Sequence, residues 1–186
     1  GLSWIASIDL QGSGEPVGSG GIVSNGETVY ASTTSIYLAT VSWDWYQPQG
    51  QMLDVVRSPE APPTLIHKFS LGEGGTASYV ASGEVPGQLL NQFSMSEYEG
   101  DLRVATTTQD WTGQQPSTSA VRVLRADGNE LVQIGIVDGL GETEQIYAVR
   151  FLGTQGYVVT FRQTDPLYVI DLSDPAAPVL TGELKI

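Results

Sequence analysis

Residues 66–71 read Ile66-His-Lys-Phe-Ser-Leu71, residues 80–85 read Val80-Ala-Ser-Gly-Glu-Val85, and Gly72-Glu-Gly-Gly75 opens the gap between them. The first segment reads as a strand, the glycine cluster as a hairpin corner, and the second segment as the returning strand. The returning strand has a pattern: Val, two residues, Gly, one residue, then an aliphatic. It recurs at Val17 to Ile22, Val132 to Val137 and Val179 to Leu184, and its glycines (Gly20, Gly83, Gly135, Gly182) are spaced 63, 52 and 47 residues apart. The strand before it recurs as well, at Ile5 to Leu10, Val121 to Ala126 and Leu167 to Leu172. Gln11-Gly-Ser-Gly14, Asp127-Gly128 and Asp174-Pro175 supply the matching corners. Each repeat therefore ends in a hairpin, whose strands are called c and d.

Three of the repeats carry an earlier hairpin, a and b. Thr28 to Ala31 leads to Ile36 to Thr40, Gln92 to Met95 leads to Leu102 to Thr106, and Ile146 to Phe151 leads to Tyr157 to Phe161. These segments are rich in Val, Tyr, Phe and Thr, which suit a pleated, half-buried surface. No window reads as an amphipathic helix, although Pro86-Gly87 ahead of Leu89-Leu90 allows one short turn.

Four antiparallel strands in a unit of about 50 residues is the signature of a β-propeller blade. The expected fold is all-β, a partial propeller of about three and a half four-stranded blades in one domain. The blades fall approximately at 1–24 (strands c and d only), 27–86, 91–138 and 145–186. A β-sandwich is the competing architecture, but sandwich strands do not usually repeat one motif in order.

Composition bounds the function. Lys+Arg 8 against Asp+Glu 21 gives a net charge of -13, which repels phosphate backbones and anionic headgroups, so nucleic acid is not an expected partner. With Cys 0 there is no disulfide framework, thiolate metal site or cysteine nucleophile. No apolar run reaches the length of a membrane-spanning helix.

Ile146 to Phe151, Tyr157 to Phe161, Asp165-Pro-Leu-Tyr168, Asp171-Leu-Ser-Asp-Pro175 and Gly182 to Ile186 resemble a family of secreted prokaryotic β-propeller-domain proteins distantly related to WD40 repeats. Asn91 to Met95 and Leu102 to Thr107 resemble the preceding blade of the same family. The resemblance implies an extracellular or cell-envelope setting and a parent longer than this chain. It brings no activity and no catalytic residues.

Chemistry is sparse. The one histidine, His67, lies in a column with Ala6, Arg122 and Tyr168, which accepts any size and polarity and so reads as structural or solvent-facing. No residue is assigned a catalytic role, and no cofactor is expected. Asp138, Glu142 and Glu144 cluster before the last blade and offer carboxylates to Ca²⁺, against the plainer reading of an acidic, solvated loop.

The b-to-c connections depart most from the repeat. The first runs from about Val41 to Pro63 and carries Trp43, Asp44, Trp45 and Tyr46; the second carries Asp110 and Trp111. Insertions on one face of a repeat protein suit binding, and exposed Trp and Tyr suit a sugar ring or a peptide. The alternative is that each Trp folds back as a lid on its own blade, which the recurring Asp-Trp pair favours. The functional expectation is a non-catalytic interaction module for a protein or glycan. The alternative is part of a carbohydrate-active or other hydrolase whose remaining site lies in further blades. Unpaired sheet faces at both ends are expected to self-associate or to pack on the rest of a parent propeller.

Overall fold

A computed structural model describes residues 1–8, 12, 16–42, 62–109, 116–162 and 166–185. Strands β1 (Ser3–Ile8) and β2 (Pro16–Ile22) pair alone. Then β3 (Thr28–Ala31), β4 (Ser35–Val41), β5 (Thr64–Leu71) and β6 (Ala77–Val85) form the first full blade. The second is β7 (Met95–Tyr98), β8 (Asp101–Thr108), β9 (Thr118–Asp127) and β10 (Glu130–Leu140). The third is β11 (Gln145–Leu152), β12 (Gln155–Phe161), β13 (Leu167–Asp171) and β14 (Val179–Leu184). Strands within a blade pair antiparallel in chain order. The protein is all-β, a partial propeller of three and a half blades.

Alternation along each strand gives every blade a forward face, toward the next blade, and a backward face. Tyr37, Ala39, Ile66, Ala81 and Val85 face forward from the first blade and pack on Met95, Leu102, Val104, Leu124 and Leu131 of the second. Ala105, Val121, Val123 and Leu140 face forward from the second and pack on Ile146, Val149, Val158, Tyr168, Ile170 and Leu172 of the third. At the rim the first two blades also touch edge to edge. Glu130 on β10 makes one parallel bridge to Ser82 on β6, and the Ser82 N–H donates to the Asn129 carbonyl at 3.1 Å. That bridge joins two four-stranded blades into an eight-stranded sheet ordered β3-β4-β5-β6-β10-β9-β8-β7.

The repeated glycine marks where an outer strand meets the next blade. A Cβ on Gly83 would lie 2.4 Å from the Leu131 carbonyl oxygen, and one on Gly135 would lie 2.2 Å from the Pro175 carbonyl oxygen. Both contacts are backbone, so neither can move aside. At Gly20 the nearest atom is 3.6 Å away, and at Gly182 only the side chain of Val169, in its own blade, is near, at 3.7 Å. The motif thus has a physical cause, the close approach of the following blade's outer hairpin.

One boundary differs from expectation. The inner strand of the second blade was expected at Gln92 to Met95, but Gln92–Ser94 is a 3₁₀ turn and the strand runs from Met95 to Tyr98. Asn91 causes this: its side chain accepts from the Phe93 N–H at 2.9 Å, and its carbonyl accepts from the Ser94 N–H at 3.0 Å. The strand then reaches a tight hairpin in which Glu99 (φ 52°) and Gly100 (φ 90°) are both left-handed, as a two-residue β-hairpin loop requires.

These contacts predict unequal costs for one substitution at equivalent sites. Gly83→Val is expected to destabilise the fold by about 3 kcal/mol through overpacking against Leu131. Gly182→Val, with open space before it, is expected to be near neutral. Denaturant titration of both variants checks this, and equal costs would refute the role given to the next blade.

Candidate functional site

Trp43, Asp44, Trp45, Tyr46, Asp110 and Trp111 lie outside the described residues. The roots of their connections are described. β4 ends at Val41 and β8 at Thr108, equivalent ends of neighbouring strands, while β5 resumes at Thr64 and β9 at Thr118. A small cleft of about 110 Å³ sits at the first root, lined in part by Glu27, Thr28, Val41, Thr64 and Gln88. Gln88 crosses from the preceding blade and pairs with Thr107 through both backbone groups, at 2.9 and 3.0 Å.

Asp138, Glu142 and Glu144 are described. Asp138 and Glu142 are exposed. Glu144 accepts from the Thr160 hydroxyl, and its carbonyl accepts from the Ser117 hydroxyl at 2.9 Å. Left-handed Gly139, Gly141 and Thr143 shape the connection. Among the described residues, no three His, Asp or Glu side chains come together in a set suited to a metal ion.

A second recess lies among the three inner strands. It has a volume of about 440 Å³ and is lined by Val29, Tyr30 and Ala31 of β3, Gln92, Phe93, Met95 and Ser96 in and before β7, and Arg150 and Phe151 of β11. Tyr30, Ser96 and Arg150 occupy one register position, counted back from each a-to-b turn, opposite Tyr37, Arg103 and Tyr157. The Arg150 guanidinium stacks over the Phe93 ring at 4.3 Å and donates to the Val149 carbonyl at 2.6 Å. A cation backed by an aromatic face, in a chain of net charge -13, suits an acidic or ring-bearing ligand group. Sequence reasoning missed this pair. The signal was the alternation on strand a, whose inward set could be assigned only once the register was known.

The perturbed ionisable groups lie elsewhere, between blades. Glu97 on β7 faces backward into the first blade, and its side chain is 5% exposed. Its carboxylate accepts from Ser32, from Thr34 and Ser35 (each 2.9 Å), from the Tyr37 hydroxyl (3.0 Å) and from Lys68 Nζ (3.2 Å). Its N–H donates to the Tyr30 hydroxyl at 3.0 Å. Burial acts to raise the Glu97 pKa, but the hydrogen bonds from Ser32, Ser35, Thr34 and Lys68 outweigh it, so the carboxyl sits below its ordinary range. Burial, with Glu97 beside it, pushes the Tyr37 phenol far upward, which keeps it a donor.

The next interface uses a different group in an equivalent place. Arg103, opposite Ser96, donates to the Gly153 carbonyl at 2.5 Å and to Ser96 at 2.7 Å, between the rings of Tyr98 and Phe151 at 5.0 Å each. These arrangements join blades, and Tyr98 and Arg103 also line a small recess of about 30 Å³ against Leu172, Ser173 and Pro175.

The column of His67, Arg122 and Tyr168 also faces backward, opposite Leu38, Val104 and Val158. The Tyr168 hydroxyl accepts from the Gly141 N–H at 3.2 Å, and Arg122 donates to Thr106 at 2.8 Å. Arg122 and Tyr168 thus each find a local partner of their own. His67 is the exception: among the described residues neither ring nitrogen has one, and burial lowers its pKa below the usual 6.5.

Comparison with known proteins agrees with this architecture. A family described as "Beta propeller domain" matches residues 1–186. The uncharacterized protein MJ1554 of Methanocaldococcus jannaschii is 50% identical over 107 residues, covering 58% of this chain and 17% of that protein. An uncharacterized protein of Archaeoglobus fulgidus is 47% identical over 127 residues, covering 68% of this chain and 18% of that protein. The chain therefore spans under a fifth of the length of these curated relatives. No solved structure matches it.

Two buried groups contribute to the acid limb of stability, at different pH. His67 is held neutral, so stability is complete above pH 6.5 and falls as the pH drops through that value; His67→Leu should flatten that part of the curve. Glu97 is held ionised, so its contribution is complete above its ordinary pKa of 4.5 and is lost below it. Glu97→Ala should cost about 3–5 kcal/mol at neutral pH, because Lys68 loses its counter-charge and the Ser35 and Tyr37 hydroxyls lose their acceptor. Urea titrations between pH 3 and 8 separate the two, and an unchanged acid limb in either variant would refute its assignment.

Proposed function

Because the chain belongs to the β-propeller domain family, we propose that it is a non-catalytic interaction module. It holds a protein or glycan partner, outside the cell or in the cell envelope, through the end of the blades that carries the long b-to-c connections. The observation that carries this reading is the placement of those connections. β4 and β8, which the segments with Trp43, Trp45 and Trp111 follow in sequence, stop at equivalent ends of neighbouring blades, and the cleft at Thr64 and Gln88 lies at the end of β4. Aromatic side chains there give a large contact area at little entropic cost.

A second feature supports a scaffold. The most heavily hydrogen-bonded buried acid, Glu97, and the buried bases Arg103 and Arg122 make their contacts within and between blades, which rigidifies the platform on which loops are mounted. Setting it outside the cytoplasm rests on the resemblance to secreted propeller proteins.

Glycan and peptide arrays probed with the labelled chain test the proposal. Saturable binding is expected, weakened at least about tenfold by Trp45→Ala with Trp111→Ala. Binding that survives this variant but is lost in Arg150→Ala would move the site into the inner-strand recess. No binding on either array would sink the reading.

A further inference from the structure

We propose that the recess among the inner strands is a binding site for an organic carboxylate. Arg150 takes the carboxylate group, and Phe93 and Val29 take the apolar body attached to it. The site is separate from the loop-bearing end of the blades and does not depend on it.

The charge of the lining points to an anion. The nine residues that line the recess include one cation and no acid, in a chain with Asp+Glu 21 against Lys+Arg 8. Glu97 follows the lining residue Ser96 in sequence, but its carboxylate is taken up by Ser35, Tyr37 and Lys68.

Arg150 is also the cation with most left to give. Lys68, Arg125 and Lys185 each pair with a carboxylate, and Arg103 and Arg122 are buried on neutral oxygens. Arg150 is exposed and, among the described residues, forms no ion pair. Its Nη1 donates to the Val149 carbonyl, and its guanidinium lies 4.3 Å from the centre of the Phe93 ring. The ring restrains the guanidinium before any ligand arrives, which lowers the cost of ordering it, and most of its N–H donors remain for the two oxygens of a carboxylate.

The rest of the recess suits an apolar body. Phe93 and Val29 line it together while 49% and 54% exposed. A volume of about 440 Å³ is that of a small-molecule site. A sugar or an inorganic anion would leave those two side chains without a partner. The recess is also distinct from the end faces of the chain. Its walls are supplied from three consecutive blades, and the guanidinium rests on Phe93, at the start of the second, so both defining groups come from within the chain.

Nuclear magnetic resonance of the labelled chain tests this by following the Arg150 Nε–Hε signal, with benzoate as the probe. Benzoate should shift that signal saturably with a Kd of about 1 mM, as befits so small a ligand. Benzamide, which has the same shape without the charge, should bind at least about tenfold more weakly. Chemical shifts of the Phe93 and Val29 backbone amides, which report the recess in every variant, should no longer respond to benzoate in Arg150→Gln. In Arg150→Lys they should respond about tenfold more weakly, because an ammonium lacks the planar fork. A short peptide with a free C-terminal carboxylate and the same peptide amidated find the source of the group. Tighter binding of the free peptide than of benzoate assigns the site to a chain terminus, and tighter benzoate assigns it to a small acid. Equal affinity for benzoate and benzamide, benzoate binding retained in Arg150→Gln, or no saturable shift with either carboxylate overturns the proposal.

Discussion

Blades stack only where the outer strand of one can be approached by the backbone of the next. At Gly135 the carbonyl of Pro175 comes within 2.2 Å of where a Cβ would stand, and Pro178 within 2.7 Å. At Gly83 the approach is made by Leu131. A side chain at either position would hold the blades apart at the rim. Close packing then could not form further in, where Val85 meets Leu131 and Val123 meets the third blade. The rim contact sets the spacing, and the apolar rows fill it.

Filling that space leaves a polar problem near the a-to-b turns, where inner hairpins of adjacent blades crowd together. The protein solves it twice, with different chemistry. Between the first and second blades a buried carboxylate, Glu97, gathers hydroxyls and Lys68 around itself. Between the second and third a guanidinium, Arg103, reaches a turn carbonyl while its faces lie against Tyr98 and Phe151. Glu97 and Phe151 occupy the same register position on their inner strands. That position plugs each blade into the one before it, whether by charge or by ring.

The strands, their order and the recurrence of the glycine motif were legible in the sequence because they follow from local chemistry that every repeat must satisfy. Gly83 and Gly135 show why the motif persists. The polar contacts were not legible, because they depend on which row faces forward, and a pattern of period two does not say which face is which. Glu97 therefore looked like one acid among many. His67, Arg122 and Tyr168 read as a variable column, structural or solvent-facing, and the register turns that column toward the preceding blade. The start of β7 was displaced for a smaller reason, an Asn91 side chain that competes with the strand ladder for the Phe93 N–H.

Constraint and freedom are therefore divided by position within each blade. The apolar members of the rows that face a neighbouring blade are closely packed, as the nearly zero exposure of Ile66, Val104, Val121 and Val158 shows. The register position shared by Tyr30, Ser96 and Arg150 varies in size, polarity and charge while lining one recess. The b-to-c connections vary even more in length, being long after β4 and short after β12. Variation in the recess lining and in connection length thus lies outside the closely packed apolar rows. Residues there can change without disturbing the contacts that hold the blades in place.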